Sequence, residues 1–574
     1  MPAKEDWKAL CAARKQRQLE QVPEEWIISP PPADQRNVLD IPRTSGLLTA
    51  RELDITDTVN VAVLLDKLRR GEWSSVEVTT AFYKRAIVAQ QLTNCLTEIF
   101  IERALARAKE VDDYLRTQGK PMGPLHGLPI SLKDQFCIKG LETIMGYAGW
   151  IGRVADRDSV LVEVLYECGA VPFVRTNVPQ TLMWGETFNH VFGRTTNPFN
   201  RAMTPGGSSG GEGALVALRG SPLGVGTDIG GSVRIPSAFC GLYGLRPSYE
   251  RLPYCGAVNA QEGQESISSV LGPMTNSLEG VRLFTNAVVA SKPWRKDPLC
   301  VRKEWSEREY ALGDHGGPGG KMCFAVMWDN GVVKPHPPLR RAMWLVKQAL
   351  EAAGHTVVDW ENHRHMEIYK NGQSIFSADD ALDLLNDCAL SGEPLIQTMS
   401  PDTDAYAYAL DEPMERAIVG ERRHLSAYEL WQLHREKRAL RKSHLDHWEA
   451  TAVRTGTGRP VDAIISPAAA YAACPHGCNS DAFYTGFCNF LDYTAAVFPV
   501  TFADKALDQP APPHAFYNHE DEAVYKLYDP ELWHGMPVGL QLIGRTLEEE
   551  GVIAMTEVVD SALKVFKQNS GSAL

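Results

Sequence analysis

The chain has 574 residues, 44% of them hydrophobic and 22% charged, with a formal net charge of −13 and a pI near 5.7. These proportions are ordinary for a globular protein, and a chain this long can bury a large core without disulfide or metal staples. The acidic balance argues against nucleic acid and anionic lipid surfaces as main partners, since both reward clustered Lys and Arg. The twelve cysteines follow no regular spacing. The closest pair, Cys474 and Cys478, lacks the second pair of a zinc ribbon, so free thiols in a reducing cell are expected. No Asn-x-Ser/Thr sequon occurs, and the charged N-terminal stretch has no apolar signal segment. No run approaches the ~18 apolar residues of a membrane span. The terminal GSAL lacks the basic residue of a peroxisomal tail. A cytoplasmic protein without a transmembrane segment is predicted.

In chain order, residues 1–27 are predicted to form a helical arm and ISPPPADQ, 28–35, a Pro-rich connector. Arm and connector together take residues 1–50, and a single large domain runs from 51 to 574. From Thr56 to Gln118 the periodicity is helical, with Ser74 or Ser75 as an N-cap. GLPISLKD, from Gly127, is a short apolar run ending in charge and predicts a buried strand. DSVLVEVLYECGA then VPFVRTN predict helix, glycine stop and strand; SPLGVGTD predicts another strand. KMCFAVMWD, LRRAMWLVKQALEAAGH and TVVDWE repeat strand, helix, strand. VDAIISP and MPVGLQLIG close the set of strands, followed by a long final helix. Segments 301–320 and 504–524 are predicted surface loops. This alternation predicts an α/β fold, with a central sheet sandwiched between α-helical layers.

Three stretches carry candidate chemistry. PGGSSGGEGALVAL, 205–218, is a Gly/Ser run before an apolar helix. It is no Walker A loop, and its Gly206-x-Ser208-x-Gly210 pattern is no nucleophile elbow, because polar TTNPFNRAMT precedes it in place of a buried strand. GTDIGGSVRIPSAF, 226–239, sets Ser232 where a strand turns sharply. There the N–H groups of Ile229, Gly230, Gly231 and Ser232 are candidates for an oxyanion nest. Asp228 and Arg234 flank the turn and suit a structural ion pair. A serine needs a base, yet no histidine lies near Ser232 in sequence. Lys133, straight after a buried strand, is the third candidate: burial lowers a lysine pKa, and a neutral lysine is a competent base. Two histidine pairs, His363 with His365 and His444 with His447, match no metal motif. The second pair reads as a solvated face of a basic helix. The aromatics of AYAYAL, 405–410, read as pocket lining or core.

Together GLPISLKD, GGSSGGEGALVA and GVGTDIGGSVRIPSAFCGLYGLRPS resemble the amidase signature family, with Ser208 and Ser232 24 residues apart. The likeness continues through RLPY (Tyr254), LGPMTNSLEGVRLF, FLDYTAAVFPVTFADK and HGMPVGLQLIGR, and its stretches are most similar to the fungal acetamidase and general amidase branch. The resemblance implies a single amidase-signature domain, with a signature core at about 125–255 and a variable substrate-facing region at about 300–460. It implies a Ser–cisSer–Lys triad, with Ser232 as nucleophile, Ser208 after a cis peptide as proton bridge, and Lys133 as base. Gly207 would ease that peptide and Ser209 would support it. Leu182 and Met183, with Trp184 beside them, would line an acyl pocket for small aliphatic or aryl amides. An acyl-enzyme would form and hydrolyse without metal or organic cofactor, and relatives suggest a homodimer. Two alternatives remain at this level: an amidotransferase A-type subunit, and a lipid amidase like fatty acid amide hydrolase.

Overall fold

The computed structural model describes residues 6–400, 424–479 and 482–570; the AYAYAL stretch lies outside them. Among these residues eleven strands form one mixed sheet: β1 Leu96–Ile99, β2 Pro129–Lys133, β3 Val171–Thr176, β4 Leu223–Asp228, β5 Tyr243–Arg246, β6 Val270–Thr275, β7 Cys323–Val326, β8 Thr356–Asp359, β9 Ala463–Pro467, β10 Ala495–Phe502 and β11 Pro537–Ile543. Their order is β1-β3-β2-β4-β6-β5-β10-β11-β9-β7-β8. β2 runs parallel to both β3 and β4, and β7 parallel to β8 and β9; the remaining neighbours are antiparallel.

β2, β3, β4, β6, β9 and β11 are buried at every residue. Their sequences therefore read as continuous apolar runs rather than alternating ones, because helices cover both faces. The helix Pro337–Ala352 shows how. Prolines occupy its first turn, and Leu339, Ala342, Met343, Val346, Ala349 and Leu350 recur at the spacing of one helical face and are buried. Each fully buried aliphatic side chain of leucine size contributes about 1.5–3 kcal/mol. The final helix, Glu549–Ser570, packs against this one. Apolar side chains from Val38 to Val289 make one large buried cluster, and those from Met203 to Leu563 make another.

The helical stretch predicted over 56–118 holds three helices, Val61–Arg69, Ser75–Thr93 and Ile101–Gln118, with an unforeseen strand between the last two. Asn94 ends the helix Ser75–Thr93 with φ of 55°, β1 pairs antiparallel to β3, and a new helix starts at Ile101. Four residues between two long helices are too few for a period-two pattern to register. Ser74 is the N-cap, accepting from the Glu77 N–H at 3.0 Å. Segment 301–320 contains a short helix, Glu307–Tyr310, and a helix begins at His519 within 504–524. The N-terminal helix, Trp7–Leu19, lies along β1 and is anchored there: Gln18 donates to the Leu96 carbonyl at 2.6 Å, and Arg14 pairs with Glu98 at 2.7 Å.

The solvated-face reading of the second histidine pair is wrong for His444. It is buried, 2.9 Å from the Tyr493 hydroxyl. Its helix, Ala427–Glu449, sets His444, Trp448 and Leu440 inward while the Arg and Lys residues of the same stretch mostly face out. Among the described residues no cluster of three or more His, Cys, Asp or Glu suits a metal ion.

Candidate active site

Lys133 ends β2, whose two neighbours, β3 and β4, hold it inside the sheet. It is 0% exposed. Its Nζ lies 2.7 Å from Ser208 Oγ and 2.8 Å from Thr227 Oγ1. Both partners are uncharged hydroxyls. Burial therefore dominates and pulls the amine down to about 7, with Asp228 and Glu212 opposing from further off.

The Gly207–Ser208 peptide is cis, as the resemblance implied. Gly207 is required by space: a Cβ there would stand 2.5 Å from the Glu186 carbonyl oxygen and 2.7 Å from that of Trp184. The loop carrying Met183 and Trp184 thus lies directly against the peptide before Ser208. Leu182, buried at φ 63°, packs with Met145, Tyr147 and Trp150, whereas Met183 is half-buried against the other large core. The segment before Gly206 forms no strand, so the elbow reading stays excluded. Ser209 exchanges hydrogen bonds with the Thr227 backbone, both at 3.3 Å, and its N–H donates to the Ser232 carbonyl at 3.2 Å. Those contacts bring the two serine loops together. Among the described residues the Ser232 hydroxyl, on a residue 8% exposed, makes no hydrogen bond, so only the Lys133–Ser208 leg of a relay is joined here.

The turn before Ser232 is built on Asp228, the last residue of β4. Its carboxylate accepts the N–H groups of Gly231 (2.9 Å) and Val233 (3.2 Å) and pairs with both Nε and an Nη of Arg234 at 3.0 Å. Arg234 also reaches the Thr485 carbonyl, Gln541 and Asn489. Asp228 and Arg234 are 0% exposed, the expected ion pair. Burial pushes the Asp228 carboxyl up, but Arg234 outweighs it and holds it at about 2. Gly231 sits at φ 137°, and a Cβ on it would meet Thr485 Oγ1 at 2.3 Å, so only glycine fits. Its N–H is spent on Asp228. The N–H groups of Ile229, Gly230 and Ser232 have no partner among the described residues.

Residues absent from the sequence expectations complete the surroundings. Thr227 donates to Gln135 Oε1 at 2.6 Å. Glu212, inside the helix Gly210–Ala217, is fully buried; it accepts from Ser131 at 2.6 Å and Thr176 at 2.9 Å. Burial raises its carboxyl to about 8, against those hydroxyls and Lys133. The signal for Glu212 was its setting in GGEGALVA, a helix apolar on every side and hence buried.

The family model described as Amidase matches residues 77–553. The acetamidase of Emericella nidulans is 42% identical over 97% of this chain and 98% of its own length, and that of Aspergillus oryzae is 42% identical over 97% and 99%. A solved fatty acid amide hydrolase superposes with a TM-score of 0.88 at 32% identity, covering 97% of this chain and 95% of that one. With a mixed-sheet α/β fold and a buried lysine joined to a serine, these likenesses agree: the chain belongs to the amidase family of amide-hydrolysing enzymes.

Proposed function

We propose that this chain hydrolyses small carboxylic acid amides through Ser232, Ser208 and Lys133. The observation that carries the reading is the uncharged setting of Lys133: an amine at 2.7 Å from Ser208, without solvent, drawn down to about 7. A neutral amine at working pH takes a proton, as a general base must. Ser208 passes its hydroxyl proton to Nζ while receiving the proton of Ser232, and Ser232 Oγ bonds to the carbonyl carbon. The displaced electron pair settles on the carbonyl oxygen, facing the N–H groups of Ile229, Gly230 and Ser232. Gly231, committed to Asp228, shapes the turn instead of donating. The relay then runs backwards and protonates the leaving nitrogen, which an amide needs because its anion is a very poor leaving group. Water attacks the acyl-enzyme with the same base, so no step calls for a metal or organic cofactor.

For substrate, higher identity to the acetamidases than to the fatty acid amide hydrolase favours short or flat acyl groups over long chains. Leu182 and Met183 are the proposed acyl contacts. A serine-directed fluorophosphonate followed by peptide mapping tests the nucleophile: Ser232 should carry the label. Comparing kcat/KM for acetamide, aryl and indole-acetamides and a long-chain fatty amide tests the class. A preference for the fatty amide would overturn the small-amide reading, and a label elsewhere would overturn the nucleophile.

A further inference from the structure

Gln135, two residues beyond Lys133, makes no hydrogen bond to Ser208 or Ser232 among the described residues, yet it settles which way the hydrogen bonds around the lysine run. Its side-chain amide can face only one way. Nε2 lies 2.8 Å from the Val258 carbonyl, which can only accept, and 3.1 Å from Asn259 Oδ1. The Val258 N–H returns a bond to the Gln135 carbonyl at 3.0 Å, which fixes the backbone as well. Oε1 therefore faces Thr227 and must accept the hydroxyl proton, at 2.6 Å. The Tyr254 hydroxyl also faces Thr227, but its own proton goes to Ser269 at 2.8 Å; a hydroxyl has one proton, so Thr227 has none left for Lys133 Nζ, at 2.8 Å. Towards the lysine it can only accept.

A neutral amine carries two N–H donors and one lone pair. With Thr227 confined to accepting, one N–H is consumed there and the lone pair is left for the remaining hydroxyl neighbour, Ser208 at 2.7 Å. We infer that Gln135 is a positioning residue: by holding the Thr227 proton, it prevents Thr227 from capping the Lys133 lone pair and reserves that lone pair for Ser208. The inference rests on the proposed Ser–Ser–Lys reading and deepens it. Without Gln135 the Thr227 hydroxyl is free to turn and donate to Nζ, and the base is neutral but blocked.

This makes an unusual demand on mutants. Gln135 should matter only while Thr227 has a hydroxyl, so the two must be strongly non-additive. We would compare the full-length enzyme with Gln135→Met, Thr227→Val, the double variant and Thr227→Ser, after checking that each unfolds cooperatively. Gln135→Met should lower kcat/KM for an amide by roughly 10–50-fold, part of what a general base contributes. Thr227→Val should cost less than Gln135→Met. In the Thr227→Val background, Gln135→Met should cost no more than about 2-fold, and Thr227→Ser should stay close to the parent. The loss in Gln135→Met should also persist at pH 9, where the amine is already neutral, because the fault is direction and not protonation. The charged groups that act on this amine, Asp228 and Glu212, are unchanged in every variant.

Equal losses for Gln135→Met in both backgrounds, or a loss that disappears at pH 9, would overturn the inference. Gln135→Leu repeats the cycle if the methionine variant does not fold. If neither folds, Thr227→Val costing more than about 10-fold decides against the inference and a smaller loss decides for it. Lys133→Ala in the same assay separates the two levels. If it keeps amide turnover, the base reading fails and the inference with it. If it is inactive and the cycle is additive, the inference alone fails.

Discussion

Two buried sites on neighbouring strands put a cation near a carboxylate and reach opposite ionisation. At the end of β4, Arg234 and Asp228 meet directly at 3.0 Å, and both stay charged: the carboxyl falls to about 2 and the guanidinium rises above its ordinary value. At the end of β2, Lys133 meets the hydroxyls of Ser208 and Thr227, while Glu212 meets those of Ser131 and Thr176. Both groups are as deeply buried as the first pair, yet the lysine falls to about 7 and the carboxyl rises to about 8, so neither is held in its charged form. The difference is first-contact chemistry. Direct pairing offsets the loss of hydration, whereas hydroxyls do so only in part. The charged pair supports a turn; the discharged pair contains the proposed base.

The largest test of this contrast removes the proposed base. Lys133→Ala should lower amide kcat/KM by about 10²–10⁴-fold, the usual worth of a general base. Ester turnover should suffer less, since an ester expels its leaving group with less help; steady-state kinetics on a matched amide and ester would check both, and equal losses would count against the relay. Next, Arg234→Ala leaves the Asp228 carboxylate buried without its cation and should cost about 3–5 kcal/mol of stability, read from a denaturant midpoint. A change under 1 kcal/mol would mean that the pair is not what holds the turn.

A third test is pH. Protonated Lys133 has no lone pair, so amide kcat/KM should climb as pH rises through about 7 and level off above it. A flat profile from pH 5 to 9 would show that the amine is not the titrating base. Acid should affect the other site: Asp228 is depressed in the fold, so its contribution is full above the unfolded carboxyl's pKa, near 3.9, and is lost as pH falls towards 2. The smallest effect is expected from Glu212→Gln. Glu212 is largely neutral where Lys133 titrates, so only its small ionised fraction holds the lysine up, and its removal should move the rising limb to lower pH by no more than about half a unit. An upward move would reverse the sign of that coupling.

Much of this arrangement was legible in the residues. GLPISLKD and SPLGVGTD announced β2 and β4, because strands covered on both faces must be apolar throughout, and a lysine at the end of one had to be unusual. The turn before Ser232 was legible from its glycines. Asp228 and Arg234 were legible as a pair, but not as the consumer of the Gly231 N–H that the sequence assigned to an oxyanion nest. Gln135 and Thr227 escaped notice because nothing in a sequence tells which polar neighbours of a lysine can donate. That depends on Val258, more than a hundred residues away, offering a carbonyl. β1 escaped because a four-residue strand between helices has too little pattern, and His444 because a basic helix hides its one buried stripe.

The contact between the first helix and β1 has a bearing on handling the protein. Among the described residues β1 is the last strand on its side of the sheet, and an uncovered margin of this kind recruits further strands from other molecules. Arg14 and Gln18 occupy the Thr97 and Leu96 carbonyls that such a visitor would need. A truncated form starting after residue 20 would lose that guard, and self-association would then compete with correct assembly even though every residue around Ser232 were intact.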